Sequence, residues 1–470
     1  MRLNNIKLLV PMVLMLFFAV SCSDDDNGIT PPDPEMEEEM EEEEEEEQEE
    51  ATTIVDLAVA TADLSILVEA LTEAELVETL QGDGPFTVFA PTNAAFEAFL
   101  ADNNFASLDD IPEDVLEQVL LNHVVSGDLM SGDLSTTYVS SLSTAGVGEK
   151  NISLYVDTAD GVKINGSTVA TADVEASNGV VHIVDQVIGL PNVVDHALYN
   201  ASFSELVGAL TMDDNTTFTD LLSDGEQMFT VFAPVNDAFT AFENPNGNDL
   251  NAILSNHVIA GASLAAADLS NMYASTAATN EDGDNLSIYV NVDDGVMLNG
   301  QSMVVVSDVV TTNGIIHAVD TVIDLPTVVT FAVADSENFS SLVGALIADD
   351  QPDFVSVLSS TTENTPFTVF APINSAFEAL EEVPSGETLT AVLNHHVIAM
   401  ANVRSEDLSD GLVSPATLEG DSVTFTEADG SFTITDGAGN MGVGIVKADV
   451  QAMNGVIHAI DMVLIPNTED

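Results

Sequence analysis

Pro85-Phe86-Thr87-Val88-Phe89-Ala90-Pro91-Thr92-Asn93-Ala94-Ala95-Phe96 decides the fold, because the chain repeats it twice. It returns as Met228-Phe229-Thr230-Val231-Phe232-Ala233-Pro234-Val235-Asn236-Asp237-Ala238-Phe239 and as Pro366-Phe367-Thr368-Val369-Phe370-Ala371-Pro372-Ile373-Asn374-Ser375-Ala376-Phe377. The copies lie 143 and 138 residues apart, counted from Phe86 to Phe229 and from Phe229 to Phe367. Solenoid and propeller units run about 20–50 residues. A domain with its own core runs about 100–150. The spacing therefore predicts three like domains in tandem.

A second phrase sets the boundaries. Asn178-Gly179-Val180-Val181-His182-Ile183-Val184-Asp185 recurs in register at 313–320, with His317 and Asp320, and at 454–461, with His458 and Asp461. Each copy soon meets a proline, Pro191, Pro326 or Pro466. The predicted domains are 52–191, 192–326 and 327–466, joined by linkers of almost no length, which implies a semi-rigid rod.

Within the first phrase, Phe-Thr-Val-Phe is a strand that ends where Pro91, Pro234 or Pro372 removes a ladder donor. Asn93, Asn236 and Asn374 then stand where an asparagine caps a helix. Downstream, Val115, Leu116, Val119, Leu120, His123 and Val124 form a helical apolar stripe. His257 and His396 close the corresponding stripes, and a histidine so placed is expected to be buried and to donate to a backbone carbonyl. Asn165-Gly166 and Asn299-Gly300 signal hairpins. The third copy has Asp436-Gly437-Ala438-Gly439-Asn440 instead, which predicts a longer and looser loop. On the last strand, alternation puts His182 and Asp185 on opposite faces, and likewise His317 and Asp320, His458 and Asp461. They cannot form local dyads.

The chain begins with Arg2, Lys7 and an apolar run from Leu8 to Val20, followed by Ser21 and Cys22. Such a run is too short to cross a bilayer core of about 30 Å and reads as a signal peptide, 1–21. Ala19-Val20-Ser21-Cys22 resembles a lipobox, which makes Cys22, the only cysteine, the expected lipidation site. Ser23-Asp24-Asp25-Asp26 is similar to the surface-export signal of Bacteroidetes-type lipoproteins, which points to the outer membrane and its exposed face. The segment 22–51, with 13 glutamates among residues 35–50, reads as an acidic disordered spacer. Fully extended it would reach about 100 Å. A calcium-collecting tail is the alternative, although Ca²⁺ needs fixed oxygen geometry and not density alone.

The formal charge is −74, from 80 acidic and 6 basic residues. No basic patch is available to displace counterions from a nucleic acid, so that partner is excluded. Membrane contact is expected through the lipid alone. No phosphate loop, nucleophile elbow or His-Glu-x-x-His occurs. If the helix histidine met the strand histidine or aspartate across the core, a zinc or acid–base site would follow. Three copies of one polar set favour a structural role, whereas adhesion gains avidity from repetition.

The two phrases, in this order and spacing, with Asn-His-Val or His-His-Val between them, resemble fasciclin domains over nearly all of 52–466. The tyrosine of the family's Tyr-His pair is replaced by Asn122, Asn256 and His395, and no Arg-Gly-Asp occurs, so an integrin partner is not implied. The resemblance implies an α+β fold, a β-sandwich-like wedge with helices packed at one end. It also implies adhesion or matrix attachment without catalysis or a cofactor. The partner is then an unidentified extracellular protein or polysaccharide. The alternative is a surface lipoprotein that binds carbohydrate or another small ligand.

Overall fold

The computed structural model describes residues 52–211, 217–363, 365–428 and 430–467. The signal segment 1–21, Cys22 and the acidic spacer lie outside the described residues.

In the first repeat the helices α1 (Ile54–Ala60), α2 (Ser65–Glu73), α3 (Val77–Leu80), α4 (Asn93–Asp102) and α5 (Glu113–Leu121) cover one end of a sheet. The strands are β1 (Phe86–Pro91), β2 (Val124–Ser126), β3 (Thr137–Ser140), β4 (Ser153–Asp157), β5 (Lys163–Ile164), β6 (Ser167–Ala176) and β7 (Gly179–Val184). Their order is β2-β1-β7-β6-β5-β4-β3. Among the described residues the second repeat also has seven strands and the third has six.

The two repeated phrases are neighbours in space. β1 runs parallel to β7, with Phe86 opposite Gly179, Phe89 opposite His182 and Pro91 opposite Val184. The same pairing joins Phe229–Pro234 to Gly314–Val319 and Phe367–Pro372 to Gly455–Ile460. A Cβ on Gly179 would lie 1.9 Å from the Phe86 carbonyl oxygen, so only glycine allows the strands to begin together. Parallel strands need a long crossover, and here nearly the whole domain is that crossover.

The sheet folds over itself at a bulge in β6, where the register with β7 slips between Val169 and Val174. Asp173, at φ 59°, makes the bend, as do Asp308 and Asp449 in the later repeats. One apolar cluster, around Phe89, Leu154, Val156 and Ile164, fills the fold between the two halves of the sheet. Another, around Leu67, Leu71, Phe96, Leu116 and Val181, joins the sheet to the helices. These two layers make the wedge.

Successive repeats touch through matching contacts. The Val310 N–H donates to Ser153 Oγ at 2.9 Å, and the Gln451 N–H to Ser287 Oγ at 3.0 Å. The Val147 N–H donates to the Thr311 carbonyl at 2.9 Å. Tyr138 packs into the core of repeat 2, and Tyr273 and Tyr289 into that of repeat 3.

Candidate functional site

The histidines that recur in every copy are the strongest candidates for chemistry, and their surroundings decide what they can do. α5 ends at Leu121, so His123 lies in the turn into β2 and not on the helix itself. Val115, the first residue of the expected stripe, is correspondingly exposed. The His123 ring is buried, and its Nε2 accepts the Ile188 N–H at 2.8 Å. The proton is therefore on Nδ1, which donates to the Val119 carbonyl at 2.7 Å. His257 does the same between Ile253 and Ile323, and His396 between Val392 and Leu464. Burial pushes all three imidazoles down to about 4. Each is a neutral stitch between two backbone segments.

The strand histidines are used up in the same way. His182 Nδ1 accepts the Asp173 N–H at 3.2 Å, and Nε2 donates to the Leu129 carbonyl at 2.8 Å. Its ring lies over Phe89, with centroids 5.7 Å apart. His317 over Phe232 and His458 over Phe370 repeat this arrangement. Burial lowers the pKa of both. Asp185, Asp320 and Asp461 face away and accept the backbone N–H of Thr168, Met303 and Gly444. Helix-side histidine, strand histidine and strand aspartate therefore do not converge, and the zinc or acid–base arrangement is not formed.

The repeated asparagine is not the N-cap of its own helix. Thr92, Val235 and Ile373 occupy the cap positions, and Asn93, Asn236 and Asn374 are the first helical residues. Asn93 Oδ1 instead accepts the Ile66 N–H at 2.9 Å, and Nδ2 donates to the Ala62 carbonyl and Ser65 Oγ. It satisfies the open N-terminus of α2, a neighbouring helix, because its position on α4 points it across the domain. Asn236 and Asn374 clamp the equivalent helices. Asn178 has a similar role: Oδ1 accepts the Ile54 N–H, and Nδ2 donates to the Leu80 and Gly82 carbonyls.

Where the family places a tyrosine, Asn122 and Asn256 donate to the Gly189 and Asp324 carbonyls at 2.8 and 3.1 Å. His395 differs. It lies with Glu419 and Asp421 in a group whose potential ligand atoms fall within 4.8 Å of one another. Its Nε2 accepts the Gly437 N–H at 3.0 Å, which leaves the proton on Nδ1, 3.6 Å from Glu419 Oε2. A metal on Nδ1 would force a proton onto Nε2, against the Gly437 N–H. Asp421 Oδ2 is already held by the Asn467 N–H. The donor set fits a hydrogen-bonded buttress and not a metal centre. The nearby 436–440 loop is longer than its counterparts, as expected, but it is closed and not loose: Asp436 accepts the Asn440 and Ile465 N–H groups.

Two features escaped sequence reading. The bulge aspartates accept a backbone N–H from the loop after β2 or its equivalents: Asp173 from Ser131, Asp308 from Ala266 and Asp449 from Ser405. Their signal was an aspartate nine residues before each strand histidine. The other feature is the tyrosines. All five lie at the two junctions between repeats: Tyr138, Tyr155 and Tyr199 at the first, Tyr273 and Tyr289 at the second.

The profile of the Fasciclin domain matches residues 62–191, 201–326 and 337–466. The chain belongs to the fasciclin-domain family. Protein sll1483 of Synechocystis sp. is 44% identical over 137 residues, which are 29% of this chain and 72% of that protein. Human periostin is 26% identical across 88% of this chain. Rabbit transforming growth factor-beta-induced protein ig-h3 is 27% identical across 84%. The chain spans about half the length of these two relatives, 47% and 55%. A solved FAS1 domain pair from the insect cell adhesion molecule Fasciclin I is 22% identical and covers 56% of this chain and 96% of its own, with a TM-score of 0.37.

Proposed function

We propose that this chain is a non-enzymatic surface adhesion protein. It is anchored through lipid on Cys22, held away from the outer membrane by the acidic segment 22–51, and presents three fasciclin domains to an extracellular protein or polysaccharide. One observation carries the non-enzymatic reading: the polar side chains shared by all three repeats spend their hydrogen bonds on the backbone. What is repeated makes the domain, and what differs among the copies is left for recognition. Family membership supports adhesion as the use of such a surface, and three copies supply avidity. Among the described residues, no helix is long and apolar enough to cross a membrane.

The test is a strain lacking the gene, assayed for attachment to surfaces and matrix polysaccharide and complemented with the wild type or Cys22→Ala. Loss of attachment in the deletion, restored by the wild type, is expected. Labelled fatty acid should enter the wild type but not Cys22→Ala. Attachment equal in deletion and parent would overturn the reading.

A further inference from the structure

The space between helices and sheet is packed differently in repeats 2 and 3. In repeat 2 the helices Val193–Tyr199, Ser204–Leu210 and Thr217–Leu222 stand over the strands Phe229–Pro234 and Gly314–Val319. Between them lies a cavity of about 260 Å³. The equivalent residues of repeat 3 enclose about 40 Å³. The fold can therefore close this space, and repeat 2 does not. An apolar space left unfilled costs stability in proportion to its volume, so an apolar occupant would be bound at a gain. Two residues differ at its rim. Thr211 stands where repeat 3 has Ile347, and Thr219 where it has Val355. Phe354 is buried in repeat 3, while its counterpart Phe218 is half-buried.

Among the described residues the wall is apolar except for Thr211, Thr219 and His257. Both ring nitrogens of His257 are already bonded to the backbone, so no side chain deep in the cavity is left to hold a water. An apolar cavity of about 150 Å³ takes up benzene. On that scale the cavity of repeat 2 has room for about ten heavy atoms. Leu198 and Thr211, both exposed, mark its mouth. Thr211 Oγ1 donates to the Val207 carbonyl at 2.8 Å and can still accept. Residues 192–326 contain no lysine or arginine. A carboxylate or phosphate brought here would lose water without a cation of this repeat to pair with.

We propose that repeat 2 binds an uncharged aliphatic alcohol of about eight to ten carbons, its chain in the cavity and its hydroxyl at Thr211. The methylenes leave water for apolar walls, and the hydroxyl donates to Thr211 Oγ1 at the solvent edge. The site is separate from the attachment reading, and either can fail alone.

The intact ectodomain, spacer included, is titrated by calorimetry with hexanol, octanol, decanol and octanoate, and is melted with and without each. Affinity should rise about fourfold per methylene from hexanol to octanol and level off beyond about ten carbons. Octanoate should bind at least about tenfold more weakly than octanol. Bound octanol should raise the melting temperature. Thr211→Ile combined with Thr219→Val installs the residues of repeat 3, and Ala197→Leu fills the cavity from its wall. Each variant should weaken octanol about tenfold or more. Each should also melt no lower than the wild type, because it fills space and removes no packed group. No binding of any alcohol, octanoate bound as tightly as octanol, an affinity indifferent to chain length, or octanol bound as well by both variants would each overturn the proposal.

Discussion

The two junctions solve one problem with different side chains. In both, a serine on the fourth strand of one repeat accepts a backbone N–H from the next, and a tyrosine packs beneath the next repeat's first helix. At the second junction Tyr273 meets Phe331 edge-on at 5.6 Å, and its hydroxyl reaches Asp335. At the first, Tyr138 meets His196 at 5.7 Å, and its hydroxyl accepts from Asn200. His196 is fully buried, neither ring nitrogen has a hydrogen-bond partner of good geometry among the described residues, and burial pushes it down to about 4. A buried polar group without a partner destabilises the state that buries it. The second junction also carries the Arg404–Asp284 ion pair, while Lys150 stands at the Asp284 position in repeat 1. The packing plan is therefore general, and the polar dressing sets how firmly each joint holds.

The largest change is expected from Tyr273→Ala. It removes a packed ring and leaves Asp335 short of a donor, costing about 3 kcal/mol in urea unfolding and uncoupling the melting of repeat 3 from repeat 2. A variant that kept the wild-type midpoint would show that this joint carries no stability. Next comes His196→Phe, which gives the first junction the residue of the second and should stabilise it by about 1–2 kcal/mol at neutral pH. An unfolded histidine titrates near 6.5, and the folded one near 4, so the neutral form is the one that fits. Its contribution is whole above pH 6.5 and is lost as pH falls toward 4. The groups facing it are Tyr138, Tyr199 and the Ser153 backbone, none of them charged in this range. The advantage of His196→Phe should therefore widen below pH 6.5, and an advantage independent of pH would exclude titration as its cause.

Ser153→Ala and Ser287→Ala each remove the acceptor of one junction hydrogen bond. Each should cost about 1 kcal/mol, and equal losses would confirm that the backbone plan is the shared part. The smallest effect belongs to Asp284→Asn. Its partner is partly exposed, so the loss should be about 0.5 kcal/mol in dilute buffer and vanish in 1 M salt. A loss that persisted in salt would mean that the pair acts through packing and not charge.

Much of one repeat was legible in its residues. Phe-Thr-Val-Phe is a buried strand in each copy, the hairpin asparagines sit in turns, and the core-facing histidines donate to carbonyls. Errors arose where a side chain acts beyond its own element. Asn93 has the chemistry of a cap, and it does cap a helix, but one that begins 28 residues earlier at Ser65. His123 follows the apolar period, yet the helix stops short of it so that β2 can begin. The 436–440 loop reads as loose until its Asp436 is seen to bind Ile465, 29 residues away.

By itself, the sequence determined the number of domains, the strands that carry the two phrases, and the absence of a local His–Asp dyad, while the α+β class came from the resemblance to fasciclin domains. The first three depend on repetition, on period and on the two-residue alternation of a strand, all of which are local. Only the tertiary structure decided that the two phrases pair in parallel, that one aspartate folds the sheet, and that every tyrosine lies at a joint. It alone opened the cavity of repeat 2, since that space is bounded by residues as far apart as Val193 and Ile316. The reason is that hydrogen bonds and packing are satisfied by proximity in space, and a linear order does not state which distant groups will meet.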